Sequence, residues 1–117
     1  NIKELMIDDK YLESIEIIEE LIKSYPNRPE YRHLKAKNKM NIKDYYSALN
    51  QLLLINKNNS EYKLHYFDLA VCSYMFKDYI NCDEVISIIL KKDKSNEDAL
   101  YLRYKIYKSN DKVLMTY

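Results

Sequence analysis

Two histidines, two cysteines and a few carboxylate pairs are the side chains of this sequence with the chemistry of metal ligands, nucleophiles or proton carriers. A zinc site needs four clustered donors, or three and an open position. His33 and His65 stand on separate stretches, and His65 with Cys72, seven residues on, makes two donors with no third. Both histidines are therefore expected at the surface, and no metal is expected. Cys72 and Cys82 lack the doublet spacing of a thiolate site. They are expected as free, buried thiols on adjacent helices, which fits a reducing, cytoplasmic compartment. The pairs Asp8–Asp9, Glu19–Glu20 and Asp83–Glu84 fall at helix ends or on exposed faces. There they complement helix dipoles rather than divide the work of an acid and a base. The chain has no glycine, hence no glycine-rich phosphate loop. The expectation is a protein that is not an enzyme and holds no cofactor, so that function must come from a surface.

The elements that build that surface are announced by spaced marks. Residues 42–45 read IKDY and residues 76–79 read FKDY, 34 residues apart. The same step back from Tyr45 reaches Tyr11, which closes DDKY, and the same step on from Tyr79 reaches Val113, which closes NDKV. A fixed period of this length is the signature of a helical-repeat array. After each mark the apolar residues follow helical spacing: Tyr11, Ile15, Ile18 and Ile22; Tyr45, Ala48, Leu52 and Ile55; Tyr79, Cys82, Ile86 and Ile89. A second helix precedes each mark, weakly apolar in EYRHLKAKNKM and strongly so in EYKLHYFDLAVCSYMF. About seven helices are expected, with breaks near 25–28, 42–44, 56–60, 76–78, 92–96 and 109–111. In YPNRPE, Asn27 can cap and Pro29 suits a first helical turn; NKNNSE and KSNED also read as helix starts. Small residues recur where two helices must approach: Ala36 and Ala70 at one place, with bulky Tyr104 at the third, and Ser14, Ala48 and Cys82 at the other.

Composition is consistent with a packed domain. The chain has 117 residues, 47% hydrophobic and 32% charged, with a net charge of +1. Residues 1–20 hold seven acids and two bases, whereas residues 21–57 hold eight bases and two acids. Neighbouring faces of opposite sign explain this better than a nucleic-acid grip, which needs an overall basic excess. No apolar run reaches membrane length. The first residue is Asn, from which a trimmed or internal fragment is expected.

These features resemble the tetratricopeptide repeat. Its unit has 34 residues, with aromatic-x-x-Leu-small in the first helix and a small residue early in the second. Tyr66-x-x-Leu69-Ala70 followed by Cys82-x-x-x-Ile86 matches both halves, and Ala48-x-x-x-Leu52 and Ser14-x-x-x-Ile18 match the second half. The resemblance covers nearly the whole chain and implies an all-α, right-handed solenoid of antiparallel helix pairs. One domain, 1–117, would divide into a partial repeat at 1–28, repeats at 29–62 and 63–96, and a partial repeat at 97–117. Residues 66–107 look most like the repeats of co-chaperones and immunophilins, many of which clamp an acidic C-terminal tail with lysine, asparagine and arginine. Carried over by position, the clamp places hold His33, Lys37, Asp68, Asp98 and Leu102. One unit earlier they hold Lys3, Leu34, Leu64 and Asp68. Neither set supplies the donors, so tail clamping is not expected.

By the family's geometry the first helix of each unit lines the concave face. That places His33, Lys37 and Met40, then Phe67, Val71 and Tyr74, then Tyr101, Lys105 and Lys108 on the groove. The lining is apolar and aromatic in the middle and basic at the flanks, suited to a peptide or amphipathic helix of another protein with apolar anchors and acidic residues. The alternative for Phe67, Val71 and Tyr74 is packing on a neighbouring helix. Two rival functions are a structural segment of a longer superhelix, whose open ends pack on more repeats or on another copy, and an RNA-binding helical repeat. The latter would show a 35-residue period and a more basic groove.

Overall fold

A computed structural model of the chain describes Ile2 and residues 10–115, with side chains through Ser109. Six helices occupy most of the described residues: α1 (Tyr11–Ser24), α2 (Pro29–Asn41), α3 (Tyr45–Asn58), α4 (Tyr66–Met75), α5 (Tyr79–Lys92) and α6 (Glu97–Met115). The described residues contain no strand. The chain folds as two compact units, Asn1–Lys63 and Leu64–Tyr117. In the first unit α2 packs against both α1 and α3; in the second α5 packs against both α4 and α6. Each is a run of helix hairpins on the 34-residue period.

The chemistry of the corners explains why IKDY nearly recurs as FKDY. Lys43 and Lys77 adopt left-handed backbone, φ 64° and 59°. This closes helices α2 and α4 with the paired bonds of a Schellman turn. Lys43 N–H donates to Met40 O at 2.9 Å and Asp44 N–H to Lys39 O at 2.8 Å. Lys77 N–H donates to Tyr74 O at 2.9 Å and Asp78 N–H to Ser73 O at 2.9 Å. The aspartate that ends one helix then caps the next. Asp44 Oδ1 accepts from Ser47 N–H at 3.2 Å, and Asp78 Oδ1 from Asn81 N–H at 3.3 Å. The order Lys-Asp is thus required: the residue in left-handed backbone comes first and the carboxylate second. At the first mark the order is Asp9-Lys10, and Lys10 at the N-cap of α1 makes no side-chain cap bond. At the fourth mark the order is again reversed, Asp111-Lys112, and α6 continues unbroken to Met115. The break expected at 109–111 is therefore absent, because the sequence there lacks the cap that would start a new helix. The helix remnant expected at 1–8 lies outside the described residues, apart from Ile2, which is helical.

Two other starts differ from expectation. Arg28, not Asn27, is the N-cap of α2, in extended backbone (φ −100°, ψ 101°). The ring of the following proline forces this on its predecessor. Helix α4 begins at Tyr66, so its corner runs longer than the expected 56–60. Asn59 Nδ2 donates to Asn27 O at 3.4 Å and Tyr62 Oη lies 2.7 Å from His33 Nδ1, holding residues 59–62 onto the first unit. The start of α6 is as expected: Asn96 Oδ1 accepts from Ala99 N–H at 3.0 Å.

Small residues sit at the crossings. In the first unit Ser14, Ala36 and Ala48 are fully buried beside Ile18, Leu52 and Ile55. Helix α2, poor in aliphatics, buries His33, Ala36 and Asn38 between its neighbours. In the second unit Ala70, Cys82, Ile86, Ala99, Leu102 and Ile106 form one cluster. Tyr104 is 55% exposed, so its bulk strains no crossing. The acidic and basic stretches meet across α1 and α2, with Lys35 Nζ 3.4 Å from Glu19 Oε1.

Candidate functional site: the first-helix faces

Within the second unit, three of the sequence-predicted groove residues converge. Phe67, Val71 and Tyr74 run along one side of α4 at i, i+4, i+7 spacing. Val71 and Tyr74 are half-buried and pack on the unit's core, while Phe67 is 36% exposed. The two readings of this stripe thus apply to different residues: its C-terminal part is packing, and its N-terminal residue faces outward. On α6, the ammonium of Lys105 lies 5.0 Å from the centroid of Tyr74 and 5.6 Å from that of Tyr101. The Tyr74 ring is also tilted against Tyr79 at 5.7 Å. A cation held by two ring faces gains about 0.5–1 kcal/mol from each at an exposed site. It also gives up its rotamer freedom before any ligand arrives, so its charge is presented in one place. Tyr101 is 64% exposed, leaving its outer face available.

In the first unit, His33 and Lys37 differ. Lys37 is exposed on α2. His33 is buried, bonded to Tyr62 and set edge-on to its ring at 5.7 Å. His65 is fully buried and stacks on Tyr66 at 4.6 Å. The expectation of surface histidines fails for both. A hydrogen-bonded partner offsets what the His33 imidazole loses by leaving water, and Tyr62, 29 residues from His33, is invisible to any local pattern.

The contacts of Arg103 escaped sequence reading for the same reason. Arg103 Nε donates to Asp83 Oδ1 at 2.8 Å and its Nη2 to Ser87 Oγ at 2.6 Å, bolting α6 to α5. Asp83, one of the carboxylates assigned to an exposed face, is therefore half-buried in an ion pair. Asn38 Nδ2 bonds Leu34 O at 2.8 Å, while its Oδ1 is buried without a hydrogen bond.

Both cysteines are free and buried, as expected, on α4 and α5. Burial, then the nearby Asp68, pushes the Cys72 thiol up to about 12; burial, then Asp83 and Asp78, does the same to Cys82. Thiols so protonated are poor nucleophiles. Among the described residues, no group of three or more His, Cys, Asp or Glu is placed to hold a metal ion, and no helix is long and apolar enough to cross a membrane.

No protein-family model matches the chain, and no curated protein does. Solved structures match closely. A MamA RS-1 ArsTM double mutant superposes with a TM-score of 0.86 at 15% identity, over 94% of this chain and 62% of the other. The chain thus spans less than two thirds of that protein. The first TPR of Spaghetti (RPAP3), bound to the HSP90 peptide SRMEEVD, gives 0.85 at 17% identity over 92% and 86%. The second TPR domain of human RPAP3, in complex with the HSP70 peptide SGPTIEEVD, gives 0.80 at 14% identity over 90% and 88%. At such identities the likeness carries the fold and leaves the ligand open.

Proposed function

We propose that this chain, whose fold is that of a tetratricopeptide-repeat domain, is a protein-interaction module that takes a peptide or amphipathic helix on its first-helix faces. The observation carrying this is the Lys105 ammonium fixed between Tyr74 and Tyr101. An aromatic surface with an immobilised cation, beside outward-facing Phe67, suits a ligand with an apolar anchor next to a carboxylate. In the first unit, Lys37 stands at the corresponding place two repeats earlier and presents a positive charge on that unit's own first-helix face, which His33 shapes from beneath. The peptides bound by the RPAP3 domains support peptide binding as the mode. They do not extend to the same ligand, because the clamp places here hold exposed Asp98 and buried Leu102. The free buried thiols favour a reducing compartment, as in the cytoplasm.

The test is fluorescence anisotropy with a panel of labelled acidic-aromatic peptides, SRMEEVD being the control expected not to bind. Phe67→Ala should weaken a bound peptide by about 1–3 kcal/mol, as truncated anchors do. Lys105→Glu should mainly slow association and flatten its salt dependence. Unchanged affinity for Phe67→Ala, with a large fall in Tm, would remove the proposal and leave Phe67 as a packing residue.

A further inference from the structure

Helix α6 has three faces. Ala99, Leu102 and Ile106 are buried in the second unit's core, and Tyr101, Lys105 and Lys108 share the face just described. The third row is Leu100, Tyr104 and Tyr107, exposed by 44%, 55% and 47%. In the preceding repeats its places are held by Tyr66, Ala70 and Ser73, and by Arg32, Ala36 and Lys39. None of those six is exposed, because the second helix of the same repeat lies over them. Arg32 Nη1 reaches Gln51 of α3 at 3.1 Å, and Ala70 shares a cluster with Cys82 of α5. Since α6 runs straight through its mark to Met115, no helix among the described residues folds back over this row.

Helix α1 shows the converse. By register it is a second helix. On α3, the residues Ser47, Gln51 and Ile55 are half-buried or buried, and Gln51 bonds α2, the first helix of its repeat. One period earlier they correspond to Glu13, Ile17 and Leu21, of which Glu13 and Ile17 are exposed. Glu16 and Glu20 flank them, also exposed. Helix α1 therefore displays Ile17, with half-buried Leu21 beside it, edged with glutamates. Helix α6 displays an aromatic row edged by Lys108, whose ammonium stands 5.8 Å over the Tyr104 ring.

The geometry points to head-to-tail self-association, in which α1 of a second copy covers the Leu100–Tyr104–Tyr107 row of α6. Ile17 and Leu21 supply the apolar cover, and the glutamates meet Lys108. Either end paired with its own kind would set like charges together, which complementarity disfavours. The contact is heterologous, so assembly continues past the dimer unless a ring closes. An exposed apolar row such as that of α6 marks such a surface on an otherwise polar helix.

Sedimentation velocity of the chain, from micromolar to near-millimolar concentration and at low and high salt, tests this. The weight-average mass should climb beyond that of a dimer and fall as salt rises. Lys108→Glu alone, and Glu13→Lys with Glu20→Lys together, should each weaken association about tenfold. All three sites are exposed, and circular dichroism verifies that the variants keep their helices. Mixing the two variants should restore association, since each then offers the charge the other lacks. A mass fixed at the monomer, a plateau at the dimer insensitive to both variants, or failure of the mixture to recover would each overturn the inference.

Discussion

Lys43 and Lys77 occupy left-handed backbone in a chain with no glycine, and each pays a steric cost for its Cβ. That cost is roughly 1–2 kcal/mol, and glycine would remove it at the expense of a more flexible unfolded chain. Lys43→Gly and Lys77→Gly should therefore each stabilise the fold by about 0.5–1 kcal/mol, read as a higher urea midpoint with unchanged slope. The neighbouring aspartate carries a pH signature. The Ser47 backbone N–H, then its hydroxyl, holds the Asp44 carboxyl below its ordinary value of 3.8, assisted by Lys39. A carboxyl depressed in the folded state contributes stability above its unfolded pKa and loses it as pH falls through the folded one. Asp44→Ala should thus cost about 1 kcal/mol at neutral pH, as lost caps do. The gap between the variant and the parent chain should narrow once the pH drops below 3.8. A gap constant from neutral pH down to about pH 2 would mean that the cap bond does not depend on charge.

At the scale of helices, the sequence shows most where the physics is local. Periodicity in Ile15, Ile18, Leu52 and Ile86 marks the packed faces, and all four are buried. The small residue Ala70 marks a crossing, and it does share a cluster with Cys82 and Ile86. Ala70→Leu should overpack that crossing and cost about 1–3 kcal/mol. Cys82→Ala, which only trims a buried atom, should cost less; equal melting temperatures for Ala70→Leu and the parent would place Ala70 off the crossing. What stays hidden in the sequence is whatever depends on partners far along the chain. Tyr62 with His33, and Arg103 with Asp83, lie 29 and 20 residues apart, and no period links their types. The unbroken course of α6 is set locally: an apolar period alone does not end a helix, and the reversal of Lys-Asp to Asp-Lys removes the corner that would end it and start the next. Of the groove residues, the aromatic stripe was legible from its spacing, but its division into packed Tyr74 and outward Phe67 needed the position of α5.

For the whole molecule, the chain divides into two compact units, and the boundary between them falls in the non-helical run between α3 and α4. Inside it, Lys63 is exposed and is followed by Leu64, 77% exposed. Endoproteases bind chain in extended form, and a helix must unwind locally to supply it, at a free-energy cost set by its packing. Most other lysines and arginines of the described chain are held in helices or in the two-bond corners after α2 and α4. Brief trypsin treatment should therefore cut first after Lys63, releasing the halves 1–63 and 64–117, as mass spectrometry would show. First cleavage inside α3 or α5 would contradict this. The same bond is then the natural place to sever the polypeptide: a scissile seam that parts the chain between its two compact units.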